Sequence, residues 1–305
     1  MENTNPIVQD GDLNLAEILS TLWKSRILIL SFTILLGLFT LIVAFSLPNY
    51  YKSESLLTAR DSQELSGISS YSGLASIAGI GLPAQGRDKV TEIIEVIKSR
   101  DFVKHLLTFE DVLPALMAFD GLEQGSRKLI FNDDLYDSDE RKWINQSLEP
   151  SYIEVHKYYL EDVLSVTRDK QTGLVNITVE HQSPVFAQYF LSLIIKEANS
   201  KQKLKDLETA SRALDYLKLE LSQTKLLEIK ESINQLIKAQ LETTMMANVH
   251  EDYSLIAIEP PFLPEEKSKP SRLQIIFFGL FAGLFLSSLF VLLKRYLKDE
   301  NTIES

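Results

Sequence analysis

Four histidines, His105, His156, His181 and His250, are the first residues to test for chemistry, because imidazole is the side chain that most often serves as base or metal ligand near neutral pH. No two of them have the H-E-x-x-H spacing that turns two rings toward one zinc ion, so they read as ordinary surface or core histidines. Asp133, Asp134, Asp137, Asp139 and Glu140 form an acidic run that invites calcium, but the central glycine and the alternating ligand spacing of a calcium loop are missing. A solvated acidic turn is the simpler reading. Gly79, Gly81 and Gly86 depart from G-x-G-x-x-G, and Pro83 would disturb a helix starting there. Neither a G-x-x-x-x-G-K-[ST] loop nor a G-x-S-x-G elbow occurs. Cysteine is absent, which removes disulfides, thiolate metal sites and thiol nucleophiles. With no catalytic, cofactor-binding or metal-binding set in view, the expectation is a protein that is not an enzyme and needs no cofactor.

The elements around these residues are more informative. In 305 residues, 31 Lys and Arg face 42 Asp and Glu, a net charge of -11, and such a chain has no basic footprint for nucleic acid. The mean hydropathy of -0.01 suggests a soluble protein but averages over two long apolar runs. Residues 27–47, ILILSFTILLGLFTLIVAFSL, contain no charge, and neither do residues 273–293, LQIIFFGLFAGLFLSSLFVLL. At about 1.5 Å rise per residue either run crosses a hydrocarbon layer of roughly 30 Å. Acidic residues ahead of the first run and the lack of a small-residue cleavage site argue against a removable signal. Two spans put residues 1–26 and 294–305 on one side and residues 48–272 on the other. Basic residues near the span ends tie at five on each side, but Lys294, Arg295 and Lys298 sit in a short tail, where charge counts most, and favour cytoplasmic termini. The domain between the spans is then extracytoplasmic. Five of the basic and seven of the acidic residues lie outside it, so it carries a net charge of -9.

Ahead of the first span, Asn14 can cap a short helix with Leu15, Ile18, Leu19 and Leu22 on one face and Trp23 at the membrane entry, an interfacial helix on the cytoplasmic leaflet. After Pro48, YYKSESLLTA reads as a strand, with Tyr50 and Tyr51 in the aromatic belt. Residues 66–86 are rich in Gly, Ser, Ala and Ile and would pack against something. Helical spacing resumes over 88–107. VLSVTRDKQTGLVNITVE alternates on two arms around Thr172-Gly173 and predicts a β-hairpin. From Pro184 to about His250 there is no internal Gly or Pro, and the composition favours helix. Leu207, Leu214 and Leu221, with Leu217 between them, follow a seven-residue repeat, and Leu226, Ile229, Ile233 and Leu236 continue it after a five-residue step that breaks the phase. That step marks a bend, or a full hairpin tip, near Ser222–Lys225. A straight helix would leave residue 250 far from the second span. A final strand over 253–258 leads into EPPFLPEEKSKPSR, whose Pro260, Pro261, Pro264 and Pro270 favour a stiff, extended connector. In the second span Gly279 and Gly283 form GxxxG, able to seat another helix closely.

Taken in order, DLNLAEILSTLWKSR before the first span, LPNYYKSESLLTA after it, then GLASIAGI, EIIEVIKSRDFV, SPVFAQYFLSLIIKEANS and AIEPPFLPEEKSKP before the second span resemble the Wzz family of polysaccharide co-polymerases, the chain-length determinants of lipopolysaccharide O-antigen. The resemblance runs over essentially the whole chain. It implies an α+β membrane protein of the bacterial inner membrane, in which two transmembrane helices enclose a periplasmic domain with an α/β base, residues 48–183 and 251–272, and a long helical hairpin, residues 184–250. It further implies a homo-oligomeric ring, possibly an octamer, acting without catalysis beside a Wzy-type polymerase on undecaprenyl-linked or growing polysaccharide. The proline-rich motif and the small residues of the second span carry over onto the positions named above, with roles in positioning and assembly. An alternative from the same resemblance is an adaptor for capsule or exopolysaccharide export that works with a separate cytoplasmic tyrosine kinase. An efflux adaptor fits less well because of the second span, and a two-span sensor because the terminal segments are short.

Overall fold

The computed structural model of the chain describes residues 15–60, 89–123 and 127–303. The glycine-rich stretch 66–86 and the Asn14 cap lie outside the described residues. In chain order the elements are α1 (Leu15–Lys24), α2 (Arg26–Ser46), β1 (Tyr50–Ala59), α3 (Lys89–Lys98), α4 (Arg100–Leu106) and α5 (Val112–Met117). Two small ribbons follow, β2 (Phe119–Leu122) with β3 (Leu129–Phe131) and β4 (Tyr136–Asp137) with β5 (Lys142–Trp143). Then come α6 (Tyr152–Tyr158), β6 (Leu164–Arg168), β7 (Val175–His181), α7 (Pro184–Gln223), α8 (Leu227–Val249), β8 (Leu255–Glu259), β9 (Lys267–Lys269) and α9 (Arg272–Ile303). The chain divides into two compact units, one built from Met1–Asn49 and Ser268–Ser305 and the other from Tyr50–Lys267.

In the first unit, Arg26–Ser46 and Arg272–Lys294 are both long and apolar enough to cross a membrane. Hydroxyls in both helices bond back to their own carbonyls: Thr33 Oγ1 donates to the Ile29 carbonyl at 2.8 Å and Ser288 Oγ to that of Leu284 at 2.7 Å. The two helices pack on each other through glycine. A Cβ at Gly37 would lie 2.6 Å from Leu280 Cδ2, one at Gly279 would collide with the Thr40 side chain, and one at Gly283 would lie 3.2 Å from Thr33 Cα. The GxxxG face of α9 is therefore covered by the chain's own first span. Where the two spans end, Arg272 donates to Asn49 Oδ1 at 3.0 Å and lies over the Phe45 ring at 4.8 Å. At the other end helical bonding runs through Ser25, whose N–H reaches the Thr21 carbonyl and whose carbonyl accepts from Ile29, so α1 leads into α2 without an extended linker. The tail after residue 294 is helical to Ile303.

In the second unit β6, β7, β1 and β8 lie side by side in that order, all antiparallel. The β6–β7 turn forms because Asp169 Oδ1 accepts from Gln171 N at 2.7 Å and Gly173 takes φ 73°, a left-handed value that glycine adopts without a Cβ clash. Those backbone donors hold the Asp169 carboxyl below the usual range. Helices α3, α4 and α6 and the first turns of α7 cover the sheet. Ile97, Phe102, Leu106, Ile177, Leu191 and Ile194 are fully enclosed there, each stabilising the fold by roughly 1.5–3 kcal/mol. Tyr159, also fully enclosed, sits in a π-helical turn after α6 and donates to the Ile97 carbonyl at 3.3 Å. Burial pushes its phenol far above the ordinary value.

Candidate functional site: the helical hairpin and its anchor

The hairpin is two helices of unequal length. α7 runs for 40 residues, about 60 Å, and α8 for 23, about 35 Å. Ser183 caps the start, its hydroxyl accepting from Phe186 N at 3.2 Å, and Pro184 fills the first turn, where a missing N–H costs nothing. Between the helices Thr224–Leu226 is extended, with ψ 131° at Thr224 and 125° at Leu226. This link is the phase break read at Leu221–Leu226, and neither glycine nor proline makes it.

Of the apolar stripe, Leu217, Ile233 and Leu236 form the buried seam between the helices, flanked by Leu221 and Ile237. Leu207 and Leu214 are half-buried, while Leu226 and Ile229 are exposed. Leu226 leaves the stripe because it belongs to the link. Other apolar residues of the hairpin also face outward, among them Leu204, Tyr216, Leu219, Leu227, Leu241 and Met245. A monomer gains nothing from them in water, and they form the surface on which a partner would gain most.

The base of the hairpin is fixed by polar contacts that apolar periodicity does not show. Asn199 is buried in α7. Its Nδ2 donates to the Leu255 carbonyl at 2.9 Å, and its Oδ1 accepts from Ser254 N and Leu255 N at 2.9 and 2.8 Å. One side chain thus pairs with the incoming strand β8 as a neighbouring backbone would. Tyr253 Oη donates to Asp206 Oδ2 at 2.8 Å, and burial together with that carboxylate raises its phenol. Along the outer face of α7, Glu197, Lys201 and Lys205 recur every four residues and meet His105, Asp101 and Glu92 of α4 and α3. Lys201 holds the Asp101 carboxyl below its usual range.

The proline-rich motif is tied to the sheet. Ser53 and Ser55, both buried on β1, donate to the carbonyls of Phe262 and Glu259 at 2.8 and 2.7 Å, and Gln188 of α7 donates to the Pro261 carbonyl at 3.1 Å. Proline supplies no N–H, so the segment is held through its carbonyls by side-chain donors. Pro264 is buried, Pro261 and Pro270 are half-buried and Pro260 is exposed.

Three of the four histidines have structural partners for their rings. His105 Nε2 meets Glu197 at 2.7 Å, and His156 Nε2 donates to the Lys98 carbonyl at 2.8 Å. His181 Nε2 donates to the Ala115 carbonyl at 2.9 Å while its Nδ1 accepts from Ser183 N at 2.9 Å, an arrangement that fixes the neutral tautomer. Burial lowers its pKa to about 4. In the acidic run Asp137 Oδ1 accepts from the backbone of Asp139 and Glu140, the bonding of a turn. Among the described residues no group of three or more His, Asp or Glu is placed to hold a metal ion.

Fold and surface define a class: an α+β protein with two helices long and apolar enough to cross a membrane and a helical hairpin that carries exposed apolar residues. Residues 11–108 match the family model described as Wzz, chain length determinant protein. The resemblance to the Wzz family is thus established on the segment that holds α1, α2, β1, α3 and α4. No curated protein matches the chain in sequence. Among solved structures it is similar to a "full-length bacterial polysaccharide co-polymerase", 12% identical over 94% of this chain and 99% of that one, TM-score 0.43. It is also similar to a fragment of WzzB, a polysaccharide co-polymerase from Salmonella Typhimurium, 12% identical over 72% of this chain and all of that one, TM-score 0.32.

Proposed function

We propose that the protein regulates the chain length of a bacterial surface polysaccharide, O-antigen of lipopolysaccharide, without catalysing a reaction. In this reading residues 48–272 lie in the periplasm, the termini are cytoplasmic, and copies assemble side by side in the inner membrane next to a Wzy-type polymerase. The match of residues 11–108 to the chain length determinant family carries the reading. The outward apolar residues of the hairpin support the assembly, since surfaces of this kind are stabilised by burial against a neighbour. Assembly geometry then sets how long a growing glycan stays engaged with the polymerase.

The test is a gel profile of surface lipopolysaccharide from a strain lacking the protein, with and without its re-expression. A clustered band of long chains that collapses to a decaying ladder and returns on complementation is the expected result. An unchanged ladder with loss of capsule or secreted polymer would move the protein to an export pathway with a separate kinase.

A further inference from the structure

A cavity of about 280 Å³ opens where the first turns of α7 meet the loop before α5, lined by Glu110, Asp111, Leu129, Val185, Phe186 and Tyr189. Its lining is chemically mixed. The Tyr189 ring is 47% exposed and lies beside the Phe186 ring at 6.3 Å, and Leu129 and Val185 add apolar wall. Two carboxylates complete it, and among the described residues no lysine or arginine lines it; Arg141 is ion-paired with Glu110.

Asp111 departs from ordinary behaviour twice. It stands at the N-cap of α5, where an aspartate normally accepts from the first-turn amides, yet its side chain makes no capping bond. It also takes φ 63°, a left-handed conformation uncommon outside glycine and most accessible to Asn and Asp among the other residues. The helix does not use this carboxylate, which is exposed to solvent and lines the cavity.

We propose that this cavity binds one neutral sugar residue. A pyranose ring has an apolar C–H face and a rim of hydroxyl donors. The exposed Tyr189 ring fits the face, and the oxygens of the Asp111 side chain, which accept hydrogen bonds, fit the rim. A phosphate-bearing ligand would meet the Asp111 carboxylate as a like charge, and the Arg141 cation is already paired with Glu110. The volume falls just below the range of roughly 300–1,000 Å³ for larger ligands, which suits one sugar residue rather than a chain segment. The proposal rests on the chain-length reading only for the source of the sugar, a residue of the growing polysaccharide.

The experiment uses the full chain in lipid nanodiscs, because glycosidic detergents would compete. Saturation-transfer NMR is recorded with methyl glucoside, methyl galactoside, methyl mannoside, N-acetylglucosamine and methyl glucuronide. At least one neutral probe is expected to give a signal exceeding that of the glucuronide. Tyr189→Ala and Asp111→Asn should weaken it about tenfold, the effect of losing one well-placed contact. Asparagine tolerates the left-handed backbone, so Asp111→Asn removes the charge without adding strain. Tyr216→Ala, at a tyrosine 46% exposed on the same helix but outside the cavity, should bind like wild type. Silence from all neutral probes, or equal loss in Tyr189→Ala and Tyr216→Ala, overturns the proposal. A normal ladder in the deletion strain would instead remove the functional reading and leave the binding result standing.

Discussion

The two halves of α7 have the same backbone and opposite surroundings. Of its twelve buried residues, ten lie between Phe186 and Gln202, and only Ala210 and Leu217 lie beyond. The first half is an anchor: Phe190 stacks on Phe186 at 5.2 Å and meets Tyr159 edge-on at 6.1 Å, and Asn199 ties in β8. The second half, apart from the contacts of Lys205 with Glu92 and of Asp206 with Tyr253, is an arm that packs on α8 and leaves Leu204, Tyr216 and Leu219 exposed. The difference teaches where stability and association separate. Burial at the anchor holds the monomer together, whereas apolar surface on the arm contributes little until another molecule covers it.

The largest effect should come from the anchor. Phe190→Ala removes a ring that is 1% exposed and is expected to cost about 3–5 kcal/mol. The check is the urea midpoint of the full chain followed by Trp143 fluorescence in a Trp23→Phe background, these being the two tryptophans. A cost below about 1 kcal/mol, the range of a surface substitution, would break the distinction between anchor and arm.

Acid should weaken the anchor next. His181 is held neutral in the fold with a pKa of about 4, against an ordinary 6.5. The unfolded chain therefore binds the proton first. His181 contributes its full stabilisation above pH 6.5 and loses it as pH falls from 6.5 toward 4, on the order of 3 kcal/mol in total. Unfolding midpoints of wild type and His181→Gln between pH 7 and 4 test this. The variant starts lower, because the bonds to Ala115 and Ser183 are changed, but should lose less on acidification. Parallel curves would remove His181 as the sensitive group.

Leu217→Ala gives a smaller and more local loss, about 2–3 kcal/mol, because it opens the seam with Ile233 and Leu236 where little else packs. Hydrogen exchange should rise along residues 210–240 while the sheet stays protected. Exchange rising equally in β1 and β7 would show that arm and anchor unfold as one.

How much of this could be read in the sequence follows from the range of each interaction. Both spans are legible because a charge-free run of about 20 residues has few other uses. The break between α7 and α8 is legible because a five-residue step cannot stay on one helix face. The helix over Tyr152–Tyr158 is not. Its capping box, Ser151 with Glu154, is a local sign, but the π turn that follows blurs the apolar period. The anchor contacts were hidden for another reason. Ser53 reaches a carbonyl 209 residues away, and Asn199 one 56 residues away, and no local pattern distinguishes these from exposed polar residues. Periodicity places Leu226 and Ile229 on the stripe because it counts apolar types and not the residue at which the chain turns.

The smallest effect on stability should accompany the clearest effect on assembly. Leu219 and Leu227, 58% and 70% exposed near the end of the hairpin, have lost little of their surface to the fold. Changing both to serine should leave the urea midpoint within about 0.5 kcal/mol of wild type, as for most exposed positions. If the arm is where copies meet, the same change exchanges apolar for polar area at that contact, and cross-linked oligomer in the membrane should fall while monomer stability holds. Leu217→Ala in parallel separates the two causes, since it loosens the arm without altering its exterior. Oligomer lost in Leu217→Ala but retained in Leu219→Ser/Leu227→Ser would mean that assembly needs a rigid arm and not this apolar surface. The contact between copies would then have to lie elsewhere in residues 50–267 or along the spans.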